Sequence, residues 1–221
     1  MQLGAESACR PKREQSQAEE IANTISHGIG LVAAFVATPF LLGHAARHGG
    51  VESLVGASVF SATLILLYLA STLYHGLPPG KAKGVLRVIE HAAIFFLIAG
   101  TYTPLTLGAL RGVWGWTLLV IVWGLAFAGV AMKVFGKVSH PILSTGIYVL
   151  MGWVGVIALD PMMTKVPTAG LLWLLVGGLC YTVGVAFFAT DSRLRYGHLV
   201  WHLFVLAGST CHYFAVFWYA G

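Results

Sequence analysis

Apolar positions run along this chain in seven blocks of about 20 residues, at roughly 24–46, 54–77, 86–109, 114–134, 141–159, 169–189 and 198–220, separated by short polar loops. A helix of about 20 residues, rising 1.5 Å per residue, matches a hydrocarbon core of about 30 Å. The pattern therefore predicts an all-α polytopic membrane protein with seven transmembrane helices. Short loops make consecutive helices antiparallel neighbours. Ahead of the first block, residues 1–17 mix Gln, Glu, Arg, Lys and Ser without periodicity and are expected to form a disordered cytoplasmic tail. Residues 18–221 form the membrane domain, opening with an amphipathic lead-in at 18–27. No repeat and no second domain is evident. The polar start lacks an apolar signal core, so the first span is expected to target the chain to the membrane.

Composition supports this reading: 57% of residues are hydrophobic and 10% charged, outside the range of a soluble domain. The net charge of +5 is no argument for nucleic acid, because the basic residues lie in the loops. Of 13 Lys and Arg residues, Arg10, Lys12, Arg13, Lys81, Lys83, Arg87, Lys133, Lys137, Arg193 and Arg195 fall on one side. Only Arg47, Arg111 and Lys165 fall on the other. This bias predicts a cytoplasmic N-terminus and, with seven spans, an outside C-terminus. Membrane lipids are the expected partners.

Cys9, Cys180 and Cys211 form no C-x-x-C pair and are read as small apolar residues. Gly28, Gly30, Gly177, Gly178 and Gly184 are expected to bring helices close. Trp114, Trp116, Trp153, Trp173, Trp201 and Trp218 are read as interfacial anchors. Pro39 and Pro104 are expected to kink their spans, with Thr101 and Thr103 serving freed carbonyls.

The candidate chemistry lies at one depth. His198 and His202, one turn apart, share a face of the seventh span. His75 ends the second span, and Glu90 begins the third. All four lie within about two turns of the cytoplasmic interface, so they converge if the second, third and seventh helices are neighbours. Three neutral imidazoles bind Zn2+ and leave a fourth tetrahedral position for water. A carboxylate at Glu90 is placed to take that water's proton, and Ser71, one turn before His75, to donate a hydrogen bond. Ionisable groups in spans are costly, which makes such a cluster functional by default.

Glu20, Asn23 and His27 form a second polar stripe. Capping the first helix, bracing a metal ligand through hydrogen bonds, and facing the cytoplasm are all open to it, with bracing the role expected of Glu20, Asn23 and His27. His44 and His48 lie on the outer side, His140 opens the fifth span, His91 points about 100° from Glu90, and His212 lies about 15 Å deeper than His202. Asp160 and Asp191 read as loop charges, the latter paired to Arg193 or Arg195.

Five motifs together resemble the hemolysin III family, the bacterial branch of the progestin and adiponectin receptor (PAQR) group. They are Glu20-x-x-Asn23-x-x-x-His27-Gly28, Ser71-Thr72-Leu73-Tyr74-His75, Glu90-His91, Ala99-Gly100-Thr101-Tyr102-Thr103-Pro104, and His198-x-x-x-His202 followed by Cys211-His212. The resemblance spans residues 19–219. It implies seven spans, a cytoplasmic N-terminus, and zinc held by His75, His198 and His202. It also implies that a carboxylate, usually Asp where this chain has Glu90, contacts the zinc-bound water. Kinship with alkaline ceramidases suggests hydrolysis of a lipid amide or ester in membrane lipid homeostasis. A zinc-braced, non-enzymatic sensor and, from the family name, a cytolysin are the alternatives.

Overall fold

The computed structural model describes residues 13–135 and 141–220. Its helices are α1 (Gln17–His48), α2 (Val51–Gly76), α3 (Lys81–Leu107), α4 (Val113–Val134), α5 (Pro141–Gly152), a 3-10 segment (Val154–Ala158), α6 (Leu159–Lys165), α7 (Thr168–Thr190) and α8 (Gly197–Tyr219). Among the described residues there is no strand. Seven segments there are long and apolar enough to cross a membrane, the fifth being Leu143–Lys165, so the chain is a multi-pass membrane protein.

Consecutive helices pack side by side, and α1 meets α8 to close the bundle, with α5 against α3 and α7. Between α1, α2, α3 and α8 lies a core of Leu41, Phe60, Leu64, Leu67, Tyr68 and Val205. Gly30 lets α1 approach this core: a Cβ there would stand 2.6 Å from Leu206 Cδ2 and 3.0 Å from Tyr68. Gly184 does the same for α7 against Trp201 and Phe204 of α8. These are close-approach glycines of the kind expected from the sequence.

The start of α1 is tied down. Ser16 caps α1 and Glu19 reaches back to the Ser16 amide at 2.9 Å, a complete capping box. Residues 13–17, grouped with the tail on sequence, thus carry specific contacts; residues 1–12 lie outside the described residues, as do Cys9 and His140.

Both intrahelical prolines follow a threonine that bonds back one turn. Thr38 donates to the Ala34 carbonyl at 2.7 Å and Thr103 to that of Ala99 at 2.8 Å. Thr101 donates to Leu97. These acceptors differ from the carbonyl of residue 100, which Pro104 deprives of its amide.

The fifth span departs most from expectation. It is not one helix ending near 159: it breaks at Gly152, passes through a 3-10 segment and resumes to Lys165. A broken helix inside a membrane leaves backbone groups without partners. Tyr102 of α3 supplies them, its hydroxyl donating to the Gly152 carbonyl at 2.6 Å and accepting from the Gly155 amide at 3.0 Å. Trp153, at the break, donates to Thr182 Oγ1 of α7 at 3.0 Å and is a link between helices, not an interfacial anchor. Tyr102→Phe removes both hydroxyl bonds at no change in ring packing. We expect a loss of about 1–3 kcal/mol, read as a lower thermal midpoint in detergent or nanodiscs.

Candidate metal centre

The last turn of α2 carries His75, the start of α8 carries His198 and His202, and α3 carries Glu90. One ligand atom from each of the three histidines lies within 4.8 Å of the others. Among the described residues they form the one group of three able to hold a metal ion in this way. The helices of these residues meet as expected for α2 with α3, while α8 reaches the site beside α1.

Hydrogen bonds fix the tautomers. His75 Nδ1 lies 2.7 Å from Glu20 Oε2, and His198 Nδ1 lies 3.0 Å from Asp191 Oδ2. A carboxylate accepts, so each Nδ1 carries the proton. Ser26 gives its own proton to the Asn23 carbonyl at 2.8 Å and therefore accepts from His202 Nδ1 at 3.0 Å. In each neutral ring this tautomer leaves Nε2 as the atom free to ligate a metal. His75 Nε2 is buried without a hydrogen-bond partner, an arrangement costing about 1–3 kcal/mol unless a ligand fills it. The donor set fits a metal of the kind imidazole prefers.

Around these rings the support is layered. Lys83 Nζ holds the other Glu20 oxygen at 2.8 Å. His27 stacks flat on His202, with centroids 3.5 Å apart, and its Nδ1 lies 2.7 Å from Ser71 Oγ. Ser71 is fully buried, engaged with α1 as well as lying on the face of His75. Asn23 acts at one remove, its backbone receiving Ser26 and its side chain donating to Gln15 at 2.7 Å. Glu90 is buried, its Oε1 3.6 Å from His75 Nε2.

The sequence reading missed three supports. Asp191 pairs with His198, not with Arg193 or Arg195. Ser26 sits one residue off the Glu20, Asn23, His27 stripe. Glu19 is buried and receives Arg13 on both oxygens at 2.6 and 2.7 Å, as well as the Tyr196 amide at 2.8 Å. Tyr196 has φ of +58°, a left-handed conformation unusual for a bulky residue. Arg13 also donates to the Leu194 carbonyl at 3.0 Å. The hydrogen bond to Glu19 raises the Arg13 pKa above its ordinary value, keeping it charged. Glu19 and Arg13 therefore pin the loop that carries Asp191.

Of the other histidines, His91 donates toward the Arg87 carbonyl yet lines the same small cavity as Glu90. His44 and His48 stack on each other at 4.4 Å near Phe217 on α8. His212 lies apart, on α8 against Leu174.

A cavity of about 20 Å³ beside the rings is lined by Glu90, His198, His202 and Trp201, room for about one water. Leu67, Ile94, Trp201 and Val205 are shared with the wall of a larger apolar cavity of about 100 Å³ between α3, α5, α7 and α8. A polar centre thus borders a space suited to hydrocarbon. Glu20→Ala leaves His75 unoriented, and the metal affinity should fall about 10–100-fold in a competition titration with a chelator.

The profile of the family described as haemolysin-III related matches residues 15–213. The chain is 44% identical over 201 residues to the Hemolysin-3 homolog of Bacillus subtilis (strain 168), covering 91% of this chain and 94% of that protein. It is 42% identical over 201 residues to Hemolysin-3 of Bacillus cereus, covering 91% of each. The human monocyte to macrophage differentiation factor is 28% identical over 215 residues, covering 91% of this chain and 84% of that protein, consistent with the wider PAQR group. With the match running through every motif from Glu20 to His212, this chain belongs to the haemolysin-III family of membrane proteins.

Proposed function

We propose that this protein is a zinc-dependent hydrolase of a lipid amide or ester, placed in the inner membrane with its basic end toward the cytoplasm and acting in membrane lipid homeostasis. The observation that carries the reading is the convergence of one ring nitrogen from each of His75, His198 and His202 within 4.8 Å, with the buried Glu90 carboxylate 3.6 Å from His75 Nε2, at the rim of an apolar cavity. Zn2+ held by His75, His198 and His202 would polarise a carbonyl and acidify a water molecule. Every other role falls to the chain. Glu90 accepts the proton of the attacking water and returns it to the departing amine or alkoxide. Ser71, oriented by His27, donates to the carbonyl oxygen as negative charge builds there. Leu67, Ile94 and Val205 receive the hydrocarbon chain next to the reacting bond.

The test is release of free fatty acid from a ceramide and from a diacylglycerol by protein in nanodiscs, followed by mass spectrometry beside elemental analysis. Turnover that tracks zinc supports the reading. A second reading, a metal brace without catalysis, draws on the ligands joining α2 to α8. It is favoured if His202→Ala lowers stability while no lipid is hydrolysed. Lysis of red cells by the purified protein, unaffected by changes at His202 or Glu90, would favour the cytolysin instead.

A further inference from the structure

Among the described residues, His212 Nδ1 is the one fully buried side-chain nitrogen or oxygen of the deep cavity's lining residues without a hydrogen-bond partner. Nε2 lies 3.2 Å from the Leu174 carbonyl, which only accepts, so Nε2 carries the proton. Nδ1 is then a bare acceptor. It is buried and has no hydrogen-bond partner.

The ring lines both parts of the space between α3, α5, α7 and α8: the cavity of about 100 Å³ and an adjoining one of about 250 Å³ that share Thr101, Tyr102, Trp153 and His212. The other side-chain hydroxyls on these walls use their protons inside the protein. Thr101 donates to Leu97, Tyr102 to Gly152, Tyr148 to His91 and Thr182 to Gly178, while Tyr181 is bonded to Ser209. The hydroxyls of Thr101, Tyr102, Tyr148 and Thr182 thus have no proton left for His212, either oxygen of the Tyr181–Ser209 pair can be the donor within that pair, and none of these groups is a hydrogen-bond partner of Nδ1. The backbone opposite is shaped around the ring, because a Cβ on Gly177 would collide with the imidazole. An unpartnered acceptor in an apolar space costs stability unless a guest donates to it.

We propose that this cavity binds a lipid-soluble molecule bearing a hydroxyl, whose O–H donates to His212 Nδ1 while its hydrocarbon fills the apolar walls. His212 lies ten residues beyond His202, about 15 Å along α8. His212 is therefore remote from the candidate metal centre, while the cavity of about 100 Å³ is the space that the proposed function gives to the substrate's hydrocarbon, so a hydroxyl-bearing guest and that chain would share it.

The test uses full-length protein in nanodiscs and a pair of probes, 11-bromoundecanol and its methyl ether, which differ in the donor alone. Trp153 and Trp201 line the cavity, so bromine quenching of tryptophan fluorescence reports occupancy. The alcohol should bind about 5–20-fold tighter than the ether, the range of one well-made hydrogen bond. The preference should vanish in His212→Phe. Removing the metal with a chelator should leave it intact, so loss of hydrolysis and loss of this site are told apart. Equal binding of the two probes to the wild-type protein overturns the proposal without recourse to a variant. So does a preference that survives in a folded His212→Phe protein.

Discussion

Protein carrying His198→Ala and His202→Ala together is expected to purify without metal, where elemental analysis of the wild type is expected to return about one zinc per chain. The pair supplies two of the three available Nε2 atoms, and His75 alone makes a weak monodentate site. Both residues sit on α8, and the double substitution takes from Asp191 and Ser26 their hydrogen-bond partners on that helix. Some loss of stability is expected, so size-exclusion behaviour and helical content should be measured on the same sample. Metal retained at about one per chain in a folded variant would remove these histidines as ligands. It would leave the stacked pair His27 and His202 as packing only.

Glu90→Gln is expected to keep the metal and lose hydrolysis. The amide has the size of the carboxylate, and the Nε2 atoms do not depend on it for orientation, since each ring is held through Nδ1 by Glu20, Asp191 or Ser26. What disappears is the proton acceptor beside the small cavity. General-base catalysis contributes about 10²–10⁴-fold, so fatty-acid release should fall by that factor with zinc content unchanged. If zinc is lost as well, Glu90 is a ligand. If turnover is unchanged, the base is elsewhere, and His91, on the wall of the same cavity, is the next residue to replace.

The seven spans were legible in the sequence because each carries its signal locally, in a run of apolar residues long enough to cross a bilayer. The histidines and Glu90 were legible for a related reason: a charge or imidazole inside such a run is conspicuous, and its distance from the loop gives its depth. Partners were not legible. Asp191 looked like any loop acid beside Arg193 and Arg195, and only the left-handed turn at Tyr196 swings the chain so that it meets His198. Ser26 is polar but small, and nothing in a single chain marks which of its neighbours it will serve. The interruption at Gly152 has no proline to announce it. Its stabilising partner, Tyr102, lies 50 residues away on α3, beyond the reach of any pattern read within one segment.

The order in which the site's parts are synthesised has a consequence for biogenesis. Glu20, Ser26 and His27 emerge with the first span, Ser71 and His75 with the second, and Glu90 with the third, but two ligands arrive only with the last helix. The α1–α8 contact that completes the bundle also brings together the three histidines able to hold a metal ion. A nascent chain halted before Gly197 has one ligand and no site. Any metal this site takes can therefore be held only after the last helix has joined α1, while Glu20, His75 and Lys83, which belong to the first three helices, can already be paired with one another.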